Sequence, residues 1–171
     1  MNKNLVLTGM MGVGKSTIGK GLAEKLSLSF IDIDKIIEIK EGCSIEQIFK
    51  NKNEKYFRNL ENEISLHELK NKNSVISLGG GAFLNKSIRE AVKKTSISFW
   101  LDMDVNELAK RLKNSKKRPL LINKNLKDIV GKIYLKRKKT YNQADYRVKC
   151  NLLKPELIVN KIIKLYESTR N

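Results

Sequence analysis

The chain has 171 residues, 40% of them hydrophobic and 31% charged, with a formal net charge of +17. That length suits one domain with a real core, and the apolar content argues against wholesale disorder. No apolar run approaches the roughly 18 residues a membrane-spanning helix needs, and the start, MNKNLVLTG, enters a strand-like run without the pattern of a signal peptide, so a cytoplasmic location is expected.

Cys43 and Cys150 are far apart and His67 is the lone histidine, so a zinc site has no support and both thiols are expected to be free in a reducing compartment. The charge admits two readings, a nucleic-acid footprint or compositional drift. Of the 35 basic residues, 28 are lysines, alongside abundant Asn and Ile, which share AT-rich codons. The lysines are scattered, without the aromatic interleaving that base stacking requires. Drift together with anionic small substrates is the reading taken, with no nucleic-acid or membrane partner expected. The scarce arginines are then informative.

The elements alternate. Leu5–Thr8 reads as a buried strand, and Ile18, Leu22 and Leu26 put one apolar face on a helix behind a glycine loop. Ser29–Ile33 is a second strand, followed by a short helix around Ile36 to Ile39. Ser44 and Gln47 have capping-box spacing, and Asn53 opens a longer helix with Phe57, Leu60 and Ile64 on one side. Val75–Leu78 is a third strand, running into Gly79, Gly80 and Gly81. A helix near Lys86–Lys94, a fourth strand at Ile97–Leu101 and a helix from Asp104 to about Leu112 follow. Residues 113–125 (KNSKKRPLLINKN) lose periodicity and have the length of a lid. A helix resumes near Leu126 and runs to about Gln143, then a fifth strand at Tyr146–Cys150, then a last helix with Pro155 in its first turn. Such alternation implies an α/β three-layer sandwich around a five-stranded parallel sheet. Ligands are expected beyond the carboxyl ends of its strands.

Three places at those strand ends carry chemistry. Gly9-x-x-x-x-Gly14-Lys15-Ser16 matches the P-loop pattern between a strand and a helix. Its backbone N–H groups and helix N-terminus suit the phosphates of a nucleoside triphosphate, Lys15 suits the β- and γ-phosphates, and Ser16 suits Mg²⁺. Asp32 and Asp34 end the second strand, and an extended chain would point both carboxylates to one side. One can hold Mg²⁺ while the other accepts a proton. Strand three has no acidic residue, which leaves Asp32 as the better metal partner. Arg58 and Glu61 share a helix face. Gly79–Gly81 lets backbone approach a ligand closely. Arg118, in the expected lid, can close over a transferring phosphoryl group. The fork of Arg137, four residues before Tyr141, suits a carboxylate.

Taken together, GMMGVGKST with Ile18-Gly19, FIDID, FRNLE, LGGGAF, a helix holding Arg111, RPLL, and R-x-x-x-Y followed by Ala144-Asp145 resemble the shikimate kinase family over nearly the whole chain. The resemblance implies a P-loop kinase fold in a single domain, residues 1–171, with an acceptor-binding segment at about 32–61 and a mobile lid at about 113–125. It implies transfer of phosphate from ATP to the 3-hydroxyl of shikimate, with Mg²⁺, by a small monomer. ATP would lie on Gly12, Val13, Gly14, Lys15, Ser16 and Thr17, with Arg111 and Pro155 flanking adenine and Lys15 and Arg118 on the transferring phosphate. Asp34 would be the base. Arg58 and Arg137 would bind the acceptor's carboxylate, Glu61 would orient Arg58, and Gly79, Gly80 and Gly81 would line the ring. Ser16 and Asp32 would serve the metal. Another small P-loop kinase, acting on gluconate or a nucleoside monophosphate, is the alternative.

Overall fold

The computed structural model describes residues 3–113 and 125–169. The expected lid, with Arg118, falls mainly on residues 114–124 and lies outside the described residues. Five strands, β1 (Asn4–Thr8), β2 (Ser29–Asp32), β3 (Ser74–Ser77), β4 (Ser96–Asp102) and β5 (Tyr146–Lys149), form one sheet in the order β2-β3-β1-β4-β5. Every pairing is parallel; Leu5 faces Val75 on one side and Ile97 on the other. β1 is central and wholly buried, which is why it reads as an unbroken apolar run rather than an alternation.

The helices are α1 (Lys15–Leu26), α2 (Ile33–Glu41), α3 (Ile45–Asn51), α4 (Glu54–Glu68), α5 (Lys86–Thr95), α6 (Val105–Lys113), α7 (Leu126–Tyr141) and α8 (Pro155–Ser168). The crossover from β1 to β2 runs opposite to all the later ones. With right-handed crossovers, that reversal places α1 on one face of the sheet and α4 and α5 on the other. α1 packs against α8, and α5 packs against β4 and α4. The P-loop thus leaves β1 beside the ends of β3 and β4, where the strand order reverses and open α/β sheets bind ligands.

Local chemistry sets most boundaries. Ser44 and Gln47 form the expected capping box on α3, and Asn53 Oδ1 accepts from the Tyr56 amide at the start of α4. Asp104 caps α6 through the Asn106 amide at 2.8 Å, and Pro155 begins α8. One expectation fails. β2 ends at Asp32, not beyond it, and α2 starts at Ile33. Asp32 is the N-cap of α2, accepting from the Lys35 amide at 3.4 Å, and Asp34 lies in its first turn. A carboxylate at the cap and another in the first turn both favour a helix start, so the two aspartates are not neighbours on an extended strand. A single 3₁₀ turn, Ala82–Leu84, also intervenes between the glycine triplet and α5.

Candidate active site

The loop between β1 and α1 turns on Gly9, Gly12 and Gly14, all with positive φ. At Gly9 the requirement is doubled, because a Cβ there would sit 2.5 Å from the Leu101 carbonyl oxygen. Lys15 opens α1 and is buried. Its Nζ donates to the Gly9 and Met10 carbonyls at 3.0 and 3.1 Å, holding the ammonium across the mouth of the loop. Ser16 Oγ donates to Asp32 Oδ2 at 2.6 Å. Arg111, on α6, reaches the loop from the side, with Nη1 donating to the Val13 carbonyl at 3.2 Å. Pro155 stands at the start of α8, after β5 and so at the same end of the sheet.

The helix start at Asp32 divides the two carboxylates. Asp32 turns to Ser16, while Asp34 lines a cavity of ≈ 110 Å³ together with Arg58, Glu61, Gly80, Gly81 and Arg137. Met11, within the P-loop, lines it too, so the cavity abuts the loop. α4 presents Arg58 and Glu61, and Arg58 Nη1 meets Glu61 Oε2 at 2.7 Å. Glu54, one turn earlier, takes Arg58 Nε and Nη2 at 3.3 Å each. Burial alone would depress the Arg58 guanidinium, yet Glu61 and Glu54 leave it raised. Burial also pushes the Glu61 carboxyl above its ordinary value, against the pull of Arg58 and with a further push from Asp34. Glu61 Oε1 has no hydrogen-bond partner among the described residues.

The glycine triplet is small because of these side chains. A Cβ at Gly79 would collide with Glu61 Oε1 and lie 2.8 Å from Asp34 Oδ1, and one at Gly81 would lie 2.5 Å from Arg58 Nη1. Gly80 faces α7, where Arg137 Nη1 donates to its carbonyl at 2.8 Å and the Tyr141 hydroxyl donates to the same oxygen. α7 is tied to the sheet again through Tyr134, whose hydroxyl donates to Asp102 at 2.9 Å. Burial, then the Asp102 acceptor, push the Tyr134 phenol up to about 12. Asp102 also receives Arg147 Nε and Nη2 at 2.9 and 2.7 Å. The Arg147 guanidinium in turn lies 4.7 Å from the Trp100 ring centre, and Tyr141 and Gly9 also lie near that ring.

The structure therefore gathers Asp34, Arg58, Glu61, Gly79, Gly80, Gly81 and Arg137 at one cavity, and Lys15, Ser16, Asp32 and Arg111 at the loop beside it. Sequence reasoning missed Glu54, whose i, i+4 spacing to Arg58 was a readable signal. It also took Phe57 as core alone, although Phe57, Phe49 and Ile45 form the apolar wall of the cavity. Met11 and Tyr141 lie in motifs read from the sequence, GMMGVGKST and R-x-x-x-Y, but were given no role.

A parallel sheet in this order, a complete phosphate loop and an adjoining charged cavity define a P-loop phosphotransferase. The comparisons narrow the class. The family model for shikimate kinase matches residues 11–167. The shikimate kinase of Persephonella marina is 44% identical over 161 residues, covering 94% of this chain and 97% of its own. That of Sulfurihydrogenibium sp. is 42% identical over 161 residues, covering 94% and 96%. Among solved structures, shikimate kinase from Acinetobacter baumannii in complex with shikimate superposes with a TM-score of 0.93 at 32% identity, over 99% of this chain and 95% of that one. The chain belongs to the shikimate kinase family.

Proposed function

We propose that this protein transfers the γ-phosphoryl group of ATP to the 3-hydroxyl of shikimate, giving ADP and 3-phosphoshikimate on the route to chorismate and the aromatic amino acids. The observation that carries the reading is the cavity beside the P-loop, where two carboxylates, two arginines and a glycine turn converge. A polyhydroxylated carboxylic acid needs that set: cations for its carboxylate, and an anion and close backbone for its hydroxyls. A nucleoside monophosphate or gluconate acceptor would account for the loop but not for Arg58, Glu61 and Gly79–Gly81 together.

In this reading Arg58 and Arg137 bind the carboxylate, Glu61 orients Arg58, and Gly79–Gly81 line the ring. Asp34 accepts the proton of the 3-hydroxyl as its oxygen bonds to the γ-phosphorus and the bond to the β–γ bridging oxygen breaks, leaving ADP. Phosphoryl transfer depends on positioning and charge neutralisation more than on a strong base, so an aspartate suffices. The residues from Gly12 to Thr17 cradle the phosphates, and Lys15 and Arg118 balance charge on the transferring group. Arg111 and Pro155 flank adenine.

Ser16 and Asp32 fit Mg²⁺, which prefers hard oxygens and draws most of its remaining ligands from water and substrate phosphates. Their 2.6 Å contact brings both oxygens to the phosphate side of the site. When bound, the ion supplies positive charge to the β- and γ-phosphate oxygens. The reading also takes the chain as one domain, with acceptor-binding segment 32–61 and lid 113–125, working as a cytoplasmic monomer on two small molecules without nucleic acid or membrane. No helix of the described residues is long and apolar enough to cross a membrane.

The test is ADP release, coupled to NADH oxidation, with shikimate, gluconate or a nucleoside monophosphate as acceptor. Turnover is expected with shikimate, and Asp34→Asn should lower kcat by about 10²-fold or more with the fold retained. Equal turnover on gluconate would defeat the acceptor assignment, and wild-type kcat in Asp34→Asn would remove Asp34 from the base role.

A further inference from the structure

The Gly80 carbonyl sits at the seam of the two substrate sites. A Cβ at Gly80 would be 3.3 Å from the Met11 amide nitrogen and 3.8 Å from the Gly9 oxygen, so this peptide abuts the P-loop on one side and lines the acceptor cavity on the other. It has glycine before and after it, and three glycines in succession leave a peptide free to rotate unless something outside the turn holds it. Both of its clamps come from α7. Arg137 Nη1 and the Tyr141 hydroxyl donate to the one oxygen, filling its two lone pairs.

Tyr141 is built as a rigid donor. It is fully buried, its ring lies against Trp100 at 5.9 Å between centres, and its oxygen is also 3.9 Å from Met10 Sδ. Arg137, by contrast, lines the cavity and has its Nη1 committed to the Gly80 carbonyl. The direction of the guanidinium therefore depends on where that carbonyl points.

We propose that Tyr141 is a positioning residue for the acceptor: its hydroxyl fixes the Gly80 carbonyl, the carbonyl anchors Nη1 of Arg137, and the other Arg137 donors are thereby aimed at the acceptor's carboxylate. This rests on the reading of Arg137 given above. Burial pushes the Tyr141 phenol up, with Arg137 pulling the other way, so the group remains an O–H donor across the neutral range. Tyr141 is not among the residues that line the cavity and acts through Gly80 and Arg137.

Tyr141→Phe keeps the ring and removes only the donor. The expected result is a rise of roughly 3–10-fold in the KM for shikimate, the size of one neutral hydrogen bond, with the KM for ATP unchanged and kcat within about twofold. Arg137→Lys should raise the shikimate KM by itself, and adding Tyr141→Phe to it should change little, because the guanidinium that Tyr141 positions is gone. An unchanged shikimate KM in Tyr141→Phe beside a raised one in Arg137→Lys overturns the proposal alone. An unchanged KM in Arg137→Lys overturns the carboxylate reading of Arg137 and this proposal with it. Equal rises in both substrate KM values, or full multiplication of the two effects in the double variant, would make Tyr141 a structural residue and nothing more. Should Tyr141→Phe not yield folded protein, Tyr141→Met fills the same space without a donor and is judged by the same ratio of KM values.

Discussion

Gly79→Ala is the smallest change that should disable acceptor binding without replacing a charged residue. The added methyl would collide with Glu61 Oε1 and lie 2.8 Å from Asp34 Oδ1. Gly79 has no positive φ, so the effect is steric rather than conformational. Glu61 cannot retreat freely: it is 2% exposed and is held by Arg58 at 2.7 Å. Overpacking of this kind costs about 1–3 kcal/mol. At about 2–4 °C per kcal/mol for a domain this size, melting should fall by about 2–12 °C. Misplacing Glu61 and Asp34 by about 1 Å should lower kcat/KM for shikimate by about 10²-fold, with the KM for ATP little altered. Gly42→Ala is the control. Gly42 has φ +64 with nothing within 4 Å of an added Cβ, so it carries a left-handed strain of about 1–2 kcal/mol and no clash. Steady-state kinetics and melts followed by circular dichroism read both variants. Wild-type kcat/KM for shikimate in Gly79→Ala, or an equal kinetic loss in Gly42→Ala, would refute the steric argument.

Three further outcomes follow from the ion pairs. Arg58→Ala should raise the shikimate KM by roughly 10–100-fold, as expected for lost hydrogen bonds to a charged group, with a much smaller change in kcat; an unchanged KM would contradict the assignment of Arg58 to the carboxylate. The same variant strands Glu61, whose folded pKa is already raised by burial. A raised folded pKa contributes stability at low pH that is lost as pH rises through it. Arg58→Ala should thus lose more melting temperature relative to wild type at pH 8 than at pH 4.5, and melts across that range check it. At the α2–α4 contact, Lys52 at 2.7 Å and the Tyr56 hydroxyl at 2.9 Å hold the Glu41 carboxyl below its usual value. A depressed folded pKa contributes stability above the unfolded pKa of 4.5 that is lost as pH falls through the folded value. Lys52→Met should lower melting at pH 7 by less than about 4 °C, as for a pair whose lysine is exposed, and the difference should shrink as pH falls below 4.5.

What could be read from the chain was what local chemistry decides. The capping box at Ser44 and Gln47, the Asn53 cap and the Arg58–Glu61 face all depend on neighbours within a turn, and all are present. The pairing of Asp32 and Asp34 misled because extended geometry was assumed to continue for two residues past the true end of β2. The consequence is chemical: Asp32 meets Ser16, and Asp34 meets the acceptor cavity. Contacts between distant segments were illegible for a different reason. Asp102 receives Arg147, and Asp145 receives the Ser98 amide and hydroxyl at 2.8 and 2.6 Å, only because the sheet register brings β5 alongside β4, and Asp102 receives Tyr134 only because α7 packs nearby. The Gly80 clamp likewise needs α7 laid across the end of β3. Residue type hints at such partners, but register selects them.

Trp100 is the one tryptophan in the chain and is 1% exposed. Its indole is shared by three neighbours with different fates: the Gly9 end of the phosphate loop, the Tyr141 ring that reaches the glycine turn, and the Arg147 guanidinium. Indole emission is sensitive to nearby charge and polarity, so its colour and brightness should report changes at the phosphate loop and, through Tyr141, at the Gly80 turn. The molecule thus carries an optical gauge between the phosphate loop and the glycine turn, needing no dye and no substitution, and free of background from any second indole.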